Sequence, residues 1–311
     1  MYGGKIFDLV IIGSGPAGLS ASIYASRYGV EHVLVGGVLG GQISETHEID
    51  NYPGIENISG FEFGQRWGNH AKKYGVEIVT SIVDSIVKNE NVFILAISNE
   101  KTIKARTVLL ATGTHRRKLA IAGEKALLGK GVSYCATCDG FFYKNKVVGI
   151  IGGSDSAVAA ATYLGGLCDK VYLIYRGEEL RAEPYWISEI DKNEKIEIIF
   201  KTNVVEILGE KKVEEIILDN KYKNSKKLKI EGLFIEAGSV PNIDYATDLG
   251  VKLNEKGFIE IEKNCATNIN GVFSAGDITT GSDGFCQVIT AAAEGAIAAR
   301  AIYQFLKKSK K

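Results

Sequence analysis

Apolar runs and the turns that end them lay the chain out as one pattern stated twice. Lys5 to Ile12 is an apolar, β-branched run with Asp8 inside it, which predicts a buried strand. A glycine turn follows, then a helical stretch over Pro16 to Tyr28 and a second apolar run at Val33–Val35. Strand, turn, helix and strand make a βαβ unit on a parallel sheet. The same succession reopens at Lys146–Ile151, passes a second glycine turn, and closes on a strand at Lys170–Tyr175.

Between the two copies the polar, glycine-rich segment Gly36–Pro53 reads as a long loop, a feature that on a compact α/β frame tends to be functional. A helix is predicted over roughly Gly60–Tyr74, with strands near Glu77–Val79, Val92–Ser98 and Thr107–Ala111. After the second copy, strands are predicted at Glu197–Phe200, Val204–Leu208, Glu214–Leu218 and Gly232–Glu236. Gly271 to Asp277 reads as strand then turn. Glu294 and Arg300 interrupt the Ala-rich stretch Ile289–Ile302, which predicts a buried helix rather than a membrane span. The expected fold class is α/β, with two Rossmann-like dinucleotide-binding domains. The strongest boundary signals are Thr112-Gly113 and Pro241-Asn242.

Composition narrows the function without naming it. The 37 basic and 37 acidic residues cancel, which leaves no electrostatic footprint for nucleic acid or an anionic membrane. The first apolar run stops at a glycine turn and has neither a basic segment nor a cleavage site, so no signal peptide is expected. Of the five cysteines, only Cys135 and Cys138 are close in sequence. That does not resemble a secreted disulfide framework, and the expectation is a cytoplasmic protein.

The first glycine turn is Gly13-Ser14-Gly15-Pro16-Ala17-Gly18. Gly13 and Gly15 permit a tight turn and close approach to a pyrophosphate, and Gly18 lets helix and strand pack closely. The acidic residue that usually follows the second strand, to hold a ribose hydroxyl, is missing: Val35 is followed by Gly36 and Gly37. The second turn, Gly152-Gly153-Ser154-Asp155-Ser156-Ala157, carries serine where a third-position glycine is usual. Its hydroxyl could donate to phosphate. After the next strand stand Arg176 and Arg181 with no carboxylate at the strand end, which favours a 2′-phosphate and hence NADPH over NADH.

Between the two turns lies Cys135-Ala136-Thr137-Cys138-Asp139. Cysteines at this spacing can form a reducible disulfide, with a metal site or inert buried cysteines as the alternatives, and Asp139 could supply a proton when the pair opens. Zinc would need two further ligands. No second such pair exists and His32, His47, His70 and His115 form no ligand pattern, so no metal is expected. Cys168, Cys265 and Cys286 read as core or site-lining residues.

With these residues in view, the chain resembles the low-molecular-weight thioredoxin reductase family, FAD-dependent pyridine nucleotide–disulfide oxidoreductases. The resemblance runs through the first glycine turn, Gly40-Gly41-Gln42, Asn51-Tyr52-Pro53-Gly54, Ala111-Thr112-Gly113, Cys135 to Tyr143, Arg181-Ala182-Glu183, Pro241-Asn242, Gly271 to Asp277 and the segment containing Gln287. The family also lacks the ribose carboxylate. The resemblance implies an FAD-binding domain of residues 1–113 and 243–311, with a nicotinamide-binding domain, 114–242, inserted and carrying the dithiol. It implies a homodimer that passes electrons from NADPH through FAD and the Cys135/Cys138 disulfide to thioredoxin or a thioredoxin-like protein, with no nucleic-acid or membrane partner.

Carried over by residue, Cys138 would face the flavin, Cys135 would be the interchange thiol and Asp139 the acid–base group. Gly41, Gln42, Asn51, Thr112 and Gly113 would join the first turn in holding FAD. Gly276 and Asp277 would meet the ribityl–phosphate region, and Gln287 and Val288 the ring. The family implies rotation of one domain against the other in each turnover, with the hinge near Thr112–Arg117 and Ala237–Pro241. Ser154 and Gly177 depart from the family, which commonly has glycine and a second arginine there, and Cys286 stands where arginine is frequent. NADH or another hydride donor therefore stays open. So does a dithiol oxidase, which would need no nicotinamide site. A diaphorase-like flavin reductase would lack the dithiol, and a non-catalytic flavin sensor would show no turnover.

Overall fold

The computed structural model describes residues 5–98 and 101–309. In chain order the strands and helices begin with β1 (Ile6–Ile12), α1 (Pro16–Arg27), β2 (His32–Gly36), α2 (Gly60–Lys72), β3 (Glu77–Thr80), β4 (Val83–Asn89), β5 (Val92–Ile97) and β6 (Lys101–Leu110). They continue with β7 (Thr114–Arg116), β8 (Val132–Ser133), α3 (Ala136–Asp139), β9 (Val147–Ile151), α4 (Asp155–Gly165), β10 (Lys170–Ile174), α5 (Pro184–Asp191) and β11 (Ile196–Ile199). The last are β12 (Val204–Leu208), β13 (Glu215–Tyr222), β14 (Ser225–Lys229), β15 (Gly232–Ile235), β16 (Ser239–Pro241), α6 (Asp244–Asp248), β17 (Val272–Ser274) and α7 (Val288–Ser309). The chain divides into two compact units, Met1–His115 with Val240–Lys311, and Arg116–Ser239.

The first unit is built on one sheet of order β3-β2-β1-β6-β5-β4. Strand β6 serves two neighbours: Lys101–Ala105 pair antiparallel with β5, and Val108–Leu110 pair parallel with β17. Strand β1 is buried on both faces, as a continuous apolar run requires. Leu9 and Ile11 pack with α1 and α7 on one side; Val10 and Ile12 pack with β4, β5 and residues 246–259 on the other. Asp8, the polar residue in that run, is ion-paired with Arg106 at 2.9 Å. Helix α2 has a Ser59 cap, its Oγ accepting from the Glu62 N–H. Its Gly60, Gly64 and Gly68 lie against residues 39–46 and bring that loop close.

The second unit repeats the design. Its parallel sheet has the order β11-β10-β9-β15-β8, and an antiparallel three-stranded sheet, β12-β13-β14, packs on one face. Helix α4 covers the other face through Val148, Ile150, Ala157, Val158 and Leu173. In each unit the chain winds outward one way from the first βαβ strand (β1 or β9) and then returns on its other side (β6 or β15). The C-terminal ends of β1 and β9 are thus topological switch points, where open α/β sheets bind ligands. Both glycine turns stand there. Among the described residues no helix is long and apolar enough to cross a membrane.

Candidate functional site

In the first unit the glycine turn after β1 is shaped by contact. Gly13 has φ +117°, and a Cβ on it would stand 2.1 Å from the Ala111 carbonyl oxygen. Pro16 opens α1 and no side chain caps it at Gly15, so the positive end of the helix faces the turn without a side-chain acceptor. At Gly36, directly after Val35, a side chain is barred by sterics: a Cβ there would lie 2.6 Å from Ser14 Oγ. Ser14 is itself tied down, its Oγ donating to Val38 O at 2.8 Å and its carbonyl accepting from the Gly40 N–H at 2.8 Å.

Around this cradle the unit gathers the other predicted residues. Gln42 donates through Nε2 to Thr114 O at 2.7 Å. Thr112 Oγ1 donates to Asn242 O at 2.9 Å, and Asn242 Nδ2 returns a bond to Thr112 O at 2.8 Å, which clasps the Thr112-Gly113 turn. Asn51 Nδ2 donates to Gln287 Oε1 at 3.0 Å, joining positions 236 residues apart. Val288 packs on the Ile49, Ile58 and Phe63 cluster, and Gly276 lies against Ala17 of α1.

Glu294 is a residue that sequence reasoning passed over as a mere break in an apolar stretch. It is 7% exposed, and its carboxylate accepts from the Gly276 N–H, Thr279 Oγ1 and Ser282 Oγ. The turn it fastens carries Asp277. Burial, and then the nearby Glu294 charge, push the Asp277 carboxyl up to about 6. Among the described residues that carboxyl has no hydrogen-bonding or ionic partner. A glycine cradle at a helix N-terminus beside an unmatched acid suits a ligand with both phosphate and hydroxyl groups.

In the second unit Cys135 and Cys138 are joined as a disulfide, with Cα atoms 5.3 Å apart. Cys135 is the N-cap of the short helix α3 and Cys138 lies within it, and the Cys138 N–H donates to Cys135 Sγ at 3.1 Å. Tyr134, next to the bridge, is anchored by its hydroxyl to the buried Glu124, which also accepts from the N–H groups of Leu119 and Ile121. Asp139 ends α3, its N–H bonded to Cys135 O at 3.2 Å. Phe141 and Phe142 follow, 68% and 70% exposed. Cys168 and Cys265 are buried elsewhere, their thiols pushed by burial to about 11 and about 12, and Cys286 is exposed.

The second glycine turn lies in the same unit. Ser154 sits at the N-cap of α4 but makes no capping bond, so its hydroxyl is not spent on the helix. Asp155 Oδ1 accepts from the Glu183 N–H at 2.7 Å, and the Arg181 N–H donates to Gly153 O at 2.7 Å. The loop after β10 is thereby folded onto the turn. Ser156, Arg176 and Arg181 are exposed.

Comparison with known proteins agrees with this arrangement. A family model described as pyridine nucleotide-disulphide oxidoreductase matches residues 7–295. The thioredoxin reductase of Listeria innocua is 37% identical over 309 residues, covering 98% of this chain and 96% of the relative. That of Helicobacter pylori is 39% identical over 311 residues, covering 97% and 99%. The crystal structure of Lactococcus lactis thioredoxin reductase superposes with a TM-score of 0.92 at 36% identity, covering 97% of this chain and 99% of that one. Two glycine turns at sheet switch points, a bridged Cys-x-x-Cys and a family match across nearly the whole chain lead to one assignment: the chain belongs to the pyridine nucleotide-disulphide oxidoreductase family.

Proposed function

We propose that the chain is a thioredoxin-disulfide reductase, a cytosolic homodimer that uses NADPH and FAD to reduce thioredoxin or a thioredoxin-like protein. The observation that carries this reading is the Cys135–Cys138 bridge with a main-chain N–H aimed at Cys135 Sγ. Bound FAD would supply the two-electron chemistry, accepting hydride from NADPH and reducing the bridge. In the first unit the Gly13–Gly18 turn and the α1 N-terminus hold the pyrophosphate, and Asp277 accepts from a hydroxyl of the flavin's ribityl–phosphate region. Gly41, Gln42, Asn51, Thr112, Gly113, Gly276, Gln287 and Val288 complete that site. In the second unit Gly152, Gly153, Ser154, Asp155 and Ser156, with Arg176 and Arg181, hold NADPH.

Opening the bridge leaves two sulfurs and a proton to place. The Cys138 N–H stabilises a thiolate on Cys135, which makes Cys135 the attacking sulfur, while Asp139 handles the proton. Cys135 attacks the partner's disulfide to form a mixed disulfide. Cys138 then displaces the partner as its dithiol and restores the bridge. The net exchange is NADPH, a proton and oxidised partner going to NADP⁺ and reduced partner. Phe141 and Phe142, exposed beside the dithiol, offer the partner protein an apolar contact.

Anaerobic titration with NADPH, followed by turnover with thioredoxin, tests this. NADPH should bleach the flavin band. Cys135→Ser and Cys138→Ser should each lower thioredoxin turnover by at least about 10³-fold while an artificial electron acceptor is still reduced. Thioredoxin turnover surviving in Cys135→Ser would overturn the role given to that sulfur.

A further inference from the structure

We infer that Lys201 and Arg181 together select a nucleotide carrying a ribose 2′-phosphate, with Glu178 as the counter-ion that the phosphate displaces. The inference rests on the reading of the second unit as the nicotinamide-binding one. Its starting point is Tyr175, the first residue after β10, which is 9% exposed. The tyrosine ring lies on the glycine turn. A Cβ on Gly153 would stand 2.5 Å from its Cγ, and a Cβ on Gly177 would stand 2.5 Å from its Cε1. The ring therefore covers the space between the phosphate turn and the strand end, and it bars a side chain at position 177 unless it moves. In this chain position 177 is glycine and supplies no cation.

Two other segments bring cations to the residues the ring covers. Arg181 is anchored to Gly153, its N–H donating to Gly153 O at 2.7 Å, and its guanidinium carbon is 5.9 Å from the Tyr175 ring centroid. Lys201, just beyond β11, is anchored to Gly177, its N–H donating to Gly177 O at 3.0 Å. The next N–H, that of Thr202, donates to Tyr175 O at 3.2 Å, and Asn220 Nδ2 donates to Lys201 O. These bonds hold Lys201 in the left-handed region at φ +51°, where a lysine seldom sits unaided.

The Lys201 ammonium is bonded to Glu178 Oε1 at 2.8 Å, with the two side chains 67% and 79% exposed. An exposed pair of this kind is weak and solvent-screened. A phosphate dianion offers more charge and three acceptor oxygens, so it displaces Glu178 from Lys201 readily. Glu178 and Glu179 oppose the phosphate from the same loop, and Arg176 lies next to Tyr175 on the strand end. The selector is therefore a balance of cations against Glu178, and removing either side moves affinity in opposite directions.

Calorimetric titration of the holoenzyme with 2′,5′-ADP and with 5′-AMP, which differ only by the 2′-phosphate, tests this. Wild type should bind 2′,5′-ADP at least about tenfold tighter than 5′-AMP. Lys201→Met should weaken 2′,5′-ADP about tenfold and leave 5′-AMP within about twofold, with Lys201→Arg restoring most of the loss. Glu178→Gln should tighten 2′,5′-ADP. If Lys201→Met changes neither ligand, or weakens both equally, the role of Lys201 is overturned while the nucleotide site stands. Equal wild-type affinity for the two ligands overturns the selection. Binding of neither by the wild type overturns the nucleotide site and this inference with it.

Discussion

Replacing Glu294 by alanine should unfasten the turn that carries Asp277. The Glu294 carboxylate takes bonds at 2.8 Å from the Gly276 N–H, 2.8 Å from Thr279 Oγ1 and 2.5 Å from Ser282 Oγ. The Gly276 N–H is buried and cannot turn to another acceptor, whereas the two hydroxyls can rotate. Hydrogen bonds to a charged group contribute roughly 1.5–3 kcal/mol each and are not additive, so losing the acceptor costs about 3–5 kcal/mol. One effect opposes this. The Asp277 carboxyl is raised from 3.8 to about 6, first by burial and then by Glu294. At about 1.4 kcal/mol per pKa unit the whole shift is worth about 3 kcal/mol, and the smaller, Glu294 share returns about 1 kcal/mol when that charge is removed.

The net loss is about 2–4 kcal/mol, which for a domain of this size lowers Tm by about 5–15 °C. Thermal unfolding at pH 7, followed by circular dichroism and by flavin fluorescence, measures it, with flavin content after gel filtration as a second readout. Glu294→Gln should fall between wild type and alanine. Its amide oxygen can still accept from Gly276, and its NH₂ can donate to Ser282. A Glu294→Ala protein that melts within about 2 °C of wild type and keeps its flavin would refute the argument.

Two further outcomes follow from the same unit. Asp277 has a raised pKa in the folded state, so its proton is bound more tightly there than in the unfolded chain. This group therefore takes stability away as pH rises from about 4 to about 6, and the cost stays in place above that. In flavin-free protein Asp277→Asn should flatten that window and raise stability at pH 7 by up to about 3 kcal/mol, while weakening flavin binding. Parallel urea midpoints for the two proteins across pH 4–6 would contradict this. Gly36→Asp, which installs the usual ribose carboxylate, should lower both stability and flavin content, because its Cβ meets Ser14 Oγ at 2.6 Å. The cost is about 1–3 kcal/mol, read from the denaturation midpoint, and a stable, flavin-replete variant would show that Ser14 yields.

What could be read along the chain depended on how locally each feature is specified. The βαβ units were legible because strand, glycine turn and helix are set by residues within a few positions of each other. Strand β4 was missed: a bulge between Val83 and Ser85 breaks the alternation, and only Val83 and Ile86 are buried. In β14 only Leu228 is buried, so the period-2 signal barely exists. Helix α5 is eight residues long with Ile190 as its one buried residue, too little for a helical stripe. The dithiol was plain from spacing, but its anchor through Tyr134 to Glu124 was not, because an exposed-type acid ten residues upstream carries no mark of burial.

By itself the sequence determined that a dithiol lies between two glycine turns, each of which follows a strand of a parallel sheet. Those features rest on backbone conformations that particular residues permit: glycine at the turns, proline opening a helix, and two cysteines three apart. Only the tertiary structure decided what meets them. It set Glu294 beneath Gly276, joined Asn51 to Gln287, and packed Ser14 against Gly36. It also laid Tyr175 over Gly153 and drew Lys201 alongside Gly177. Each of these pairings depends on strand order and register, which align residues from distant segments at the same sheet end, and no local pattern encodes that alignment.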